Sequence, residues 1–163
     1  MRTTQHSRSS QAGSRVVRAK LTQRGYVRST YLARGEVADL TRFQVDRIFA
    51  RDGFRCVRCG SPELTLQHRR AKGMGGLGEK SATLVLSDGL SMCMQCNQAC
   101  EAGGQDEALR CGWKLHRNSL VPSYDVPYYE RRTGNWYLPD SAGGRKWVDP
   151  VWASERVQLA LAA

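Results

Sequence analysis

The chain has 163 residues, 40% of them apolar, and 25 Lys and Arg against 15 Asp and Glu give a formal charge of +10. That length suits one compact domain with extensions, and no run approaches the roughly 18 apolar residues of a membrane span. The segment MRTTQHSRSS has no apolar core, so no secretory signal is expected; the expectation is a soluble, cytoplasmic, basic protein whose natural partner is a polyanion.

The charge is unevenly placed. Residues 1–35 hold seven Arg, one Lys and no acid, whereas the other 128 residues hold 17 bases and 15 acids. Ser, Thr, Gln and Gly dominate before Val16, so packed structure is not expected there. Arg15, Arg18 and Lys20 read as phosphate contacts of a basic arm that binds by releasing counterions; a solubilising tail is the plain alternative.

Apolar Val37, Leu40, Phe43, Ile48 and Phe49 recur at helical spacing, which predicts a helix over 36–52 stopped by Gly53. A cysteine knuckle, FRCVRCG, follows. Residues 64–68 predict a short strand with Leu64 and Leu66 on one face, Thr65 and Gln67 on the other, and His68 where the strand meets a loop. The loop 69–80 carries Arg69, Arg70, Lys72 and Lys80 among four glycines. Glu79 directly before Lys80 excludes a P-loop, which requires Gly there. A basic loop against a nucleic-acid backbone is the functional reading and a solvated linker the plain one. Residues 82–86 predict a second strand, and 97–109 a helix weakened by Gly103 and Gly104. Further on, 133–148 reads as two strands joined by a Gly-containing turn, and 150–163 as a short helix or frayed end. Aromatics there, beside Arg131, Arg132, Arg145 and Lys146, serve either a small core or a base-stacking surface.

Cysteine is the sharpest signal. Cys56 with Cys59 and Cys93 with Cys96 form two C-x-x-C pairs, 33 residues apart. Two intervening residues let both thiolates point into one tetrahedral centre, and two such pairs complete a four-sulfur zinc site. Disulfides suit a reducing compartment poorly, and a redox C-x-x-C needs no second pair. Cys100 and Cys111 are left over and read as small buried apolar residues.

The strings R51-D-G-F-R-C-V-R-C-G60, Q67-H-R-R-A-K-G-M-G-G76 and C93-M-Q-C-N97 resemble the HNH endonucleases, most of all the small zinc-knuckled type encoded by bacteriophages. The resemblance spans roughly 42–147 and reaches C111-G-W-K-L-H-R117 and W136-Y-L-P-D-S-A-G-G-R145. It implies an α+β fold: a small zinc-stabilised ββα-metal core over 36–118, with a preceding helix and a C-terminal β-hairpin extension over 119–163. It also implies DNA as substrate, phage packaging proteins as partners, and His68 as the general base. Gln67, Asn97 and Glu101 would hold a catalytic magnesium or manganese ion, nickel and zinc being other ions the family uses. Thr83 is the nearest match to the Asn that orients the base. Asn97 and Glu101, four apart, share a helix face. Gln67 stands where the family usually has Asp or His, which leaves one carboxylate in the set. The alternatives are a zinc-stabilised nucleic-acid-binding module without catalysis and a transcription-factor zinc ribbon.

Overall fold

The computed structural model describes residues 40–70 and 84–163. Helix α1 (Arg42–Arg51) begins at Thr41, whose hydroxyl accepts from Gln44 N–H while the Gln44 side chain accepts from Thr41 N–H. This reciprocal cap fixes the start later than the expected 36; residues 36–39 lie outside the described residues. Ile48 and Phe49 face inward, but Phe43, counted with the apolar face, is 71% exposed.

Strand β1 (Thr65–His68) pairs antiparallel with β2 (Gly89–Met92), Thr65 opposite Met92 and His68 opposite Gly89. The strand that pairs with β1 is therefore at 89–92, and residues 84–86 of the expected 82–86 are not in a strand. Residues 82–83 lie outside the described residues, and Leu86–Asp88 form a 3-10 turn. β2 is buried along its whole length, with Leu90 and Met92 on one face and Gly89 and Ser91 on the other. Gly89 lets α1 pack closely on the hairpin: a Cβ there would lie 2.6 Å from Ile48 Cδ1 and 2.9 Å from Leu66 Cδ1, and those side-chain ends would have to shift.

The single helix expected at 97–109 is two. Helix α2 (Met94–Glu101) starts inside the second cysteine pair, and α3 (Gln105–Arg110) follows a break at Ala102 to Gly104. A Cβ on Gly104 would lie 2.7 Å from the Ala99 carbonyl oxygen, so this turn depends on glycine.

The C-terminal part is larger than a hairpin. Strands β3 (Tyr128–Glu130), β4 (Asn135–Pro139) and β5 (Arg145–Val148) form an antiparallel sheet in chain order. Helix α4 (Pro150–Ala162) follows, capped by Asp149 with Pro150 in its first turn. Tyr128, beyond the expected boundary at 118–119, packs in one core cluster with Val57, Leu90, Met92 and Trp113. Side chains of this size each contribute roughly 1.5–3 kcal/mol when fully buried. Beneath them lies a buried polar network: Asp52 accepts from the Tyr128 hydroxyl at 2.7 Å, from Ser91 N–H at 2.9 Å and from Arg51 Nε at 2.8 Å. No helix among the described residues is long and apolar enough to cross a membrane.

Candidate functional site

The four knuckle cysteines come from two places and meet at one point. Cys56 and Cys59 lie on the turn after α1, closed by Gly60 at φ +81° with its N–H donating to the Cys56 carbonyl at 2.8 Å. Cys59 N–H points at Cys56 Sγ, 3.5 Å away. Cys93 directly follows β2 at the N-cap position of α2, and Cys96 lies in the first turn of that helix. All four sulfurs fall within 4.8 Å of one another, with Cys59 and Cys93 Sγ 3.6 Å apart. Thiolates on a tetrahedral zinc at ~2.3 Å stand roughly 3.8 Å apart, so the group fits that ion. Burial, with the neighbouring Cys93 thiol adding to it, pushes the Cys96 pKa up. Thiols this crowded ionise together only around a cation. Cys56, Cys93 and Cys96 are buried and Cys59 is exposed, so one side is open to solvent. Cys100 is a core residue against Met92, its pKa pushed up to about 11 by burial.

A second cluster forms where β1 meets α2. Alternation puts Thr65 and Gln67 toward α2, and Leu66 and His68 on the other face. Gln67, 1% exposed, donates to the His68 carbonyl at 3.0 Å and lies 3.4 Å from Glu101 Oε1. Asn97 donates to the Leu66 carbonyl at 3.0 Å and pins α2 against the strand. The structure thus brings Gln67, Asn97 and Glu101 around the end of β1. His68 is one peptide away on the opposite face, half-buried and opposite Gly89.

Two residues absent from the sequence reading belong to this region. Lys114 puts its ammonium 2.7 Å from Glu101 Oε2 and 3.4 Å from the Cys100 carbonyl oxygen. Asp88 accepts from Arg69 N–H through its carbonyl, accepts from Val85 N–H through its carboxylate, and faces Arg70 Nε at 3.8 Å. Asp88 sits in no quoted motif, and Lys114 lies in the string C111-G-W-K-L-H-R117 without a role assigned to it. Their partners are brought to them by the hairpin and by the turn after α3.

The basic residues after His68 are corrected by their burial. Arg69 is wholly buried and its guanidinium donates to the carbonyls of Gly112, Ser87, Ser123, Val126 and Pro127. It braces the end of β1 against the C-terminal segment and has no surface to offer a nucleic acid. Burial, with the nearby Arg51 charge adding to it, pushes its pKa down to about 9, so it remains charged at neutral pH. Arg70 is half-buried and donates to the carbonyls of Ser119 and Val121, which makes it a brace as well. Thr83, Lys72, Lys80, Arg15, Arg18 and Lys20 lie outside the described residues.

Compared with protein-family models, with curated proteins and with solved structures, the chain finds no significant match. The four-cysteine metal centre stands on its own geometry.

Proposed function

We propose that the chain is a zinc-stabilised, metal-dependent endonuclease of HNH type that hydrolyses phosphodiester bonds in DNA. The observation that carries this reading is the convergence of Gln67, Asn97 and Glu101 at the end of the strand that terminates in His68. His68, one residue beyond Gln67 and on the other face of the strand end, would act as the general base that takes a proton from the attacking water. A magnesium or manganese ion, when bound, supplies charge relief at the phosphate and the leaving oxygen. Glu101 would hold it, being half-exposed and the one carboxylate of the three. The amide nitrogens of Gln67 and Asn97 are committed to protein acceptors, and oxygen is the end of an amide that a hard cation takes. A set with one carboxylate binds such an ion jointly with the substrate phosphate rather than in a closed protein cage. That donor chemistry favours magnesium or manganese over nickel or zinc, and it keeps the catalytic ion separate from the knuckle zinc.

DNA contact falls to the basic arm with Arg15, Arg18 and Lys20 and to Lys72 and Lys80, since Arg69 and Arg70 are spent inside the protein. A place in phage genome processing or packaging, inside a bacterial host cell, goes with the resemblance. The second reading, a nucleic-acid-binding module without catalysis, is favoured by the Lys114–Glu101 ion pair, which satisfies the carboxylate within the chain. Nicking of supercoiled plasmid separates the two. Magnesium- or manganese-dependent nicking, lost in Glu101→Gln, supports the nuclease. Salt-sensitive DNA binding with no nicking under any ion supports the module.

A further inference from the structure

Lys114 is a lysine in an unusual place. Its residue is 9% exposed, and lysines are almost never buried unless paired. The chain on both sides is fixed: Trp113 is wholly buried, Leu115 N–H donates to the Arg69 carbonyl at 2.6 Å, and Lys114 N–H donates to the Ala108 carbonyl at 3.0 Å. The buried stem therefore aims its ammonium at Glu101, while the Glu101 side chain keeps half its surface in solvent. One carboxylate oxygen is taken by Lys114 and the other is approached by Gln67.

We infer that Lys114 is a built-in cation at the ion site, one that a divalent ion has to displace from Glu101. This rests on the reading of Glu101 as the ion's carboxylate ligand. An ammonium and a divalent ion both draw on the same oxygens, and their charges repel, so binding of the ion alone is weakened. An entering phosphate changes the balance. It gives the displaced ammonium a new partner and adds oxygens to the ion's shell, so ion and substrate enter together. The site stays charge-neutral until a phosphodiester is present.

The test is manganese binding by the full-length, zinc-loaded protein without DNA, read as loss of the free-ion electron paramagnetic resonance signal. Lys114→Met keeps the buried stem and Lys114→Gln keeps a donor; both remove the charge. Each is expected to bind manganese about tenfold more tightly than wild type, the size of effect expected for losing one charge-assisted contact of ~1.4 kcal/mol. Adding Glu101→Gln to either variant is expected to abolish the gain. If both Lys114 variants bind manganese no better than wild type while Glu101→Gln weakens binding, the competition is refuted and the ion site stands. If Glu101→Gln changes nothing in any background, the ion site itself is refuted, and the inference with it. Should either variant fail to fold, magnesium titration of the wild type followed on its lysine side-chain resonances reads the same event. One lysine, lost in Lys114→Arg, is expected to shift with saturation; no shift refutes the displacement.

Discussion

Replacing Arg69 with Met keeps most of the buried stem and removes five hydrogen bonds at once. Three are short, to the carbonyls of Gly112, Ser123 and Val126 at 2.8 Å each; two are longer, to Pro127 at 3.2 Å and Ser87 at 3.3 Å. The acceptors are backbone oxygens, so they stay in place without their donor. Carbonyl oxygens tolerate partial satisfaction better than N–H groups do, so about 1 kcal/mol is lost at each short bond and less at the long ones. The expected total is about 3–5 kcal/mol, against a typical domain stability of about 5–15 kcal/mol. Urea unfolding of the zinc-loaded variant reads this as a lowered midpoint at unchanged slope. Arg69→Lys is expected to recover less than half, because one ammonium cannot reach Gly112 on one side and Val126 on the other. A loss under about 1 kcal/mol, or a selective loss of DNA affinity at full stability, would return Arg69 to the surface and refute the brace.

Metal analysis of the purified protein is expected to give about one zinc per chain. Cys59→Ser, at the exposed ligand, should release that zinc faster to a colorimetric chelator and lower the melting temperature; a folded protein without zinc would contradict the four-sulfur centre. Gly112→Ala places a side chain at φ +65° with its Cβ 2.0 Å from the Pro127 carbonyl oxygen. The left-handed backbone alone costs about 1–2 kcal/mol and the clash adds to it, so an unchanged thermal midpoint would show that this turn is looser than described. Tyr128→Phe removes the hydroxyl that donates to Asp52 at 2.7 Å and accepts from Arg145 at 3.1 Å. A loss of about 1–2 kcal/mol is expected in the same urea series, and a neutral result would show that Asp52 is satisfied without it.

What the sequence made legible was local. The C-x-x-C pairs carry their geometry in their spacing, and Leu64 and Leu66 mark one face of β1 by simple alternation. Asn97 and Glu101 could be placed on one helix face because four residues make about one turn. β2 is only four residues long, Gly-Leu-Ser-Met, and begins with a strand-weakening glycine, so the longer apolar run at 82–86 drew the strand too early. The other failures share a cause: the deciding partner is distant in sequence. Arg69 looked like surface charge, yet three of the carbonyls that surround it lie 54 to 58 residues away in Ser123, Val126 and Pro127. Lys114 reaches Glu101 because the chain turns at Gly103 and Gly104 and then folds back after α3, and no motif announces that.

The most direct test of the account is nicking of supercoiled plasmid by the full-length, zinc-loaded protein with manganese, comparing wild type with His68→Ala. The account predicts manganese-dependent nicking that falls at least about a hundredfold in the variant, the scale of losing a general base, while DNA binding stays the same. Equal nicking by both proteins would contradict His68 as the base.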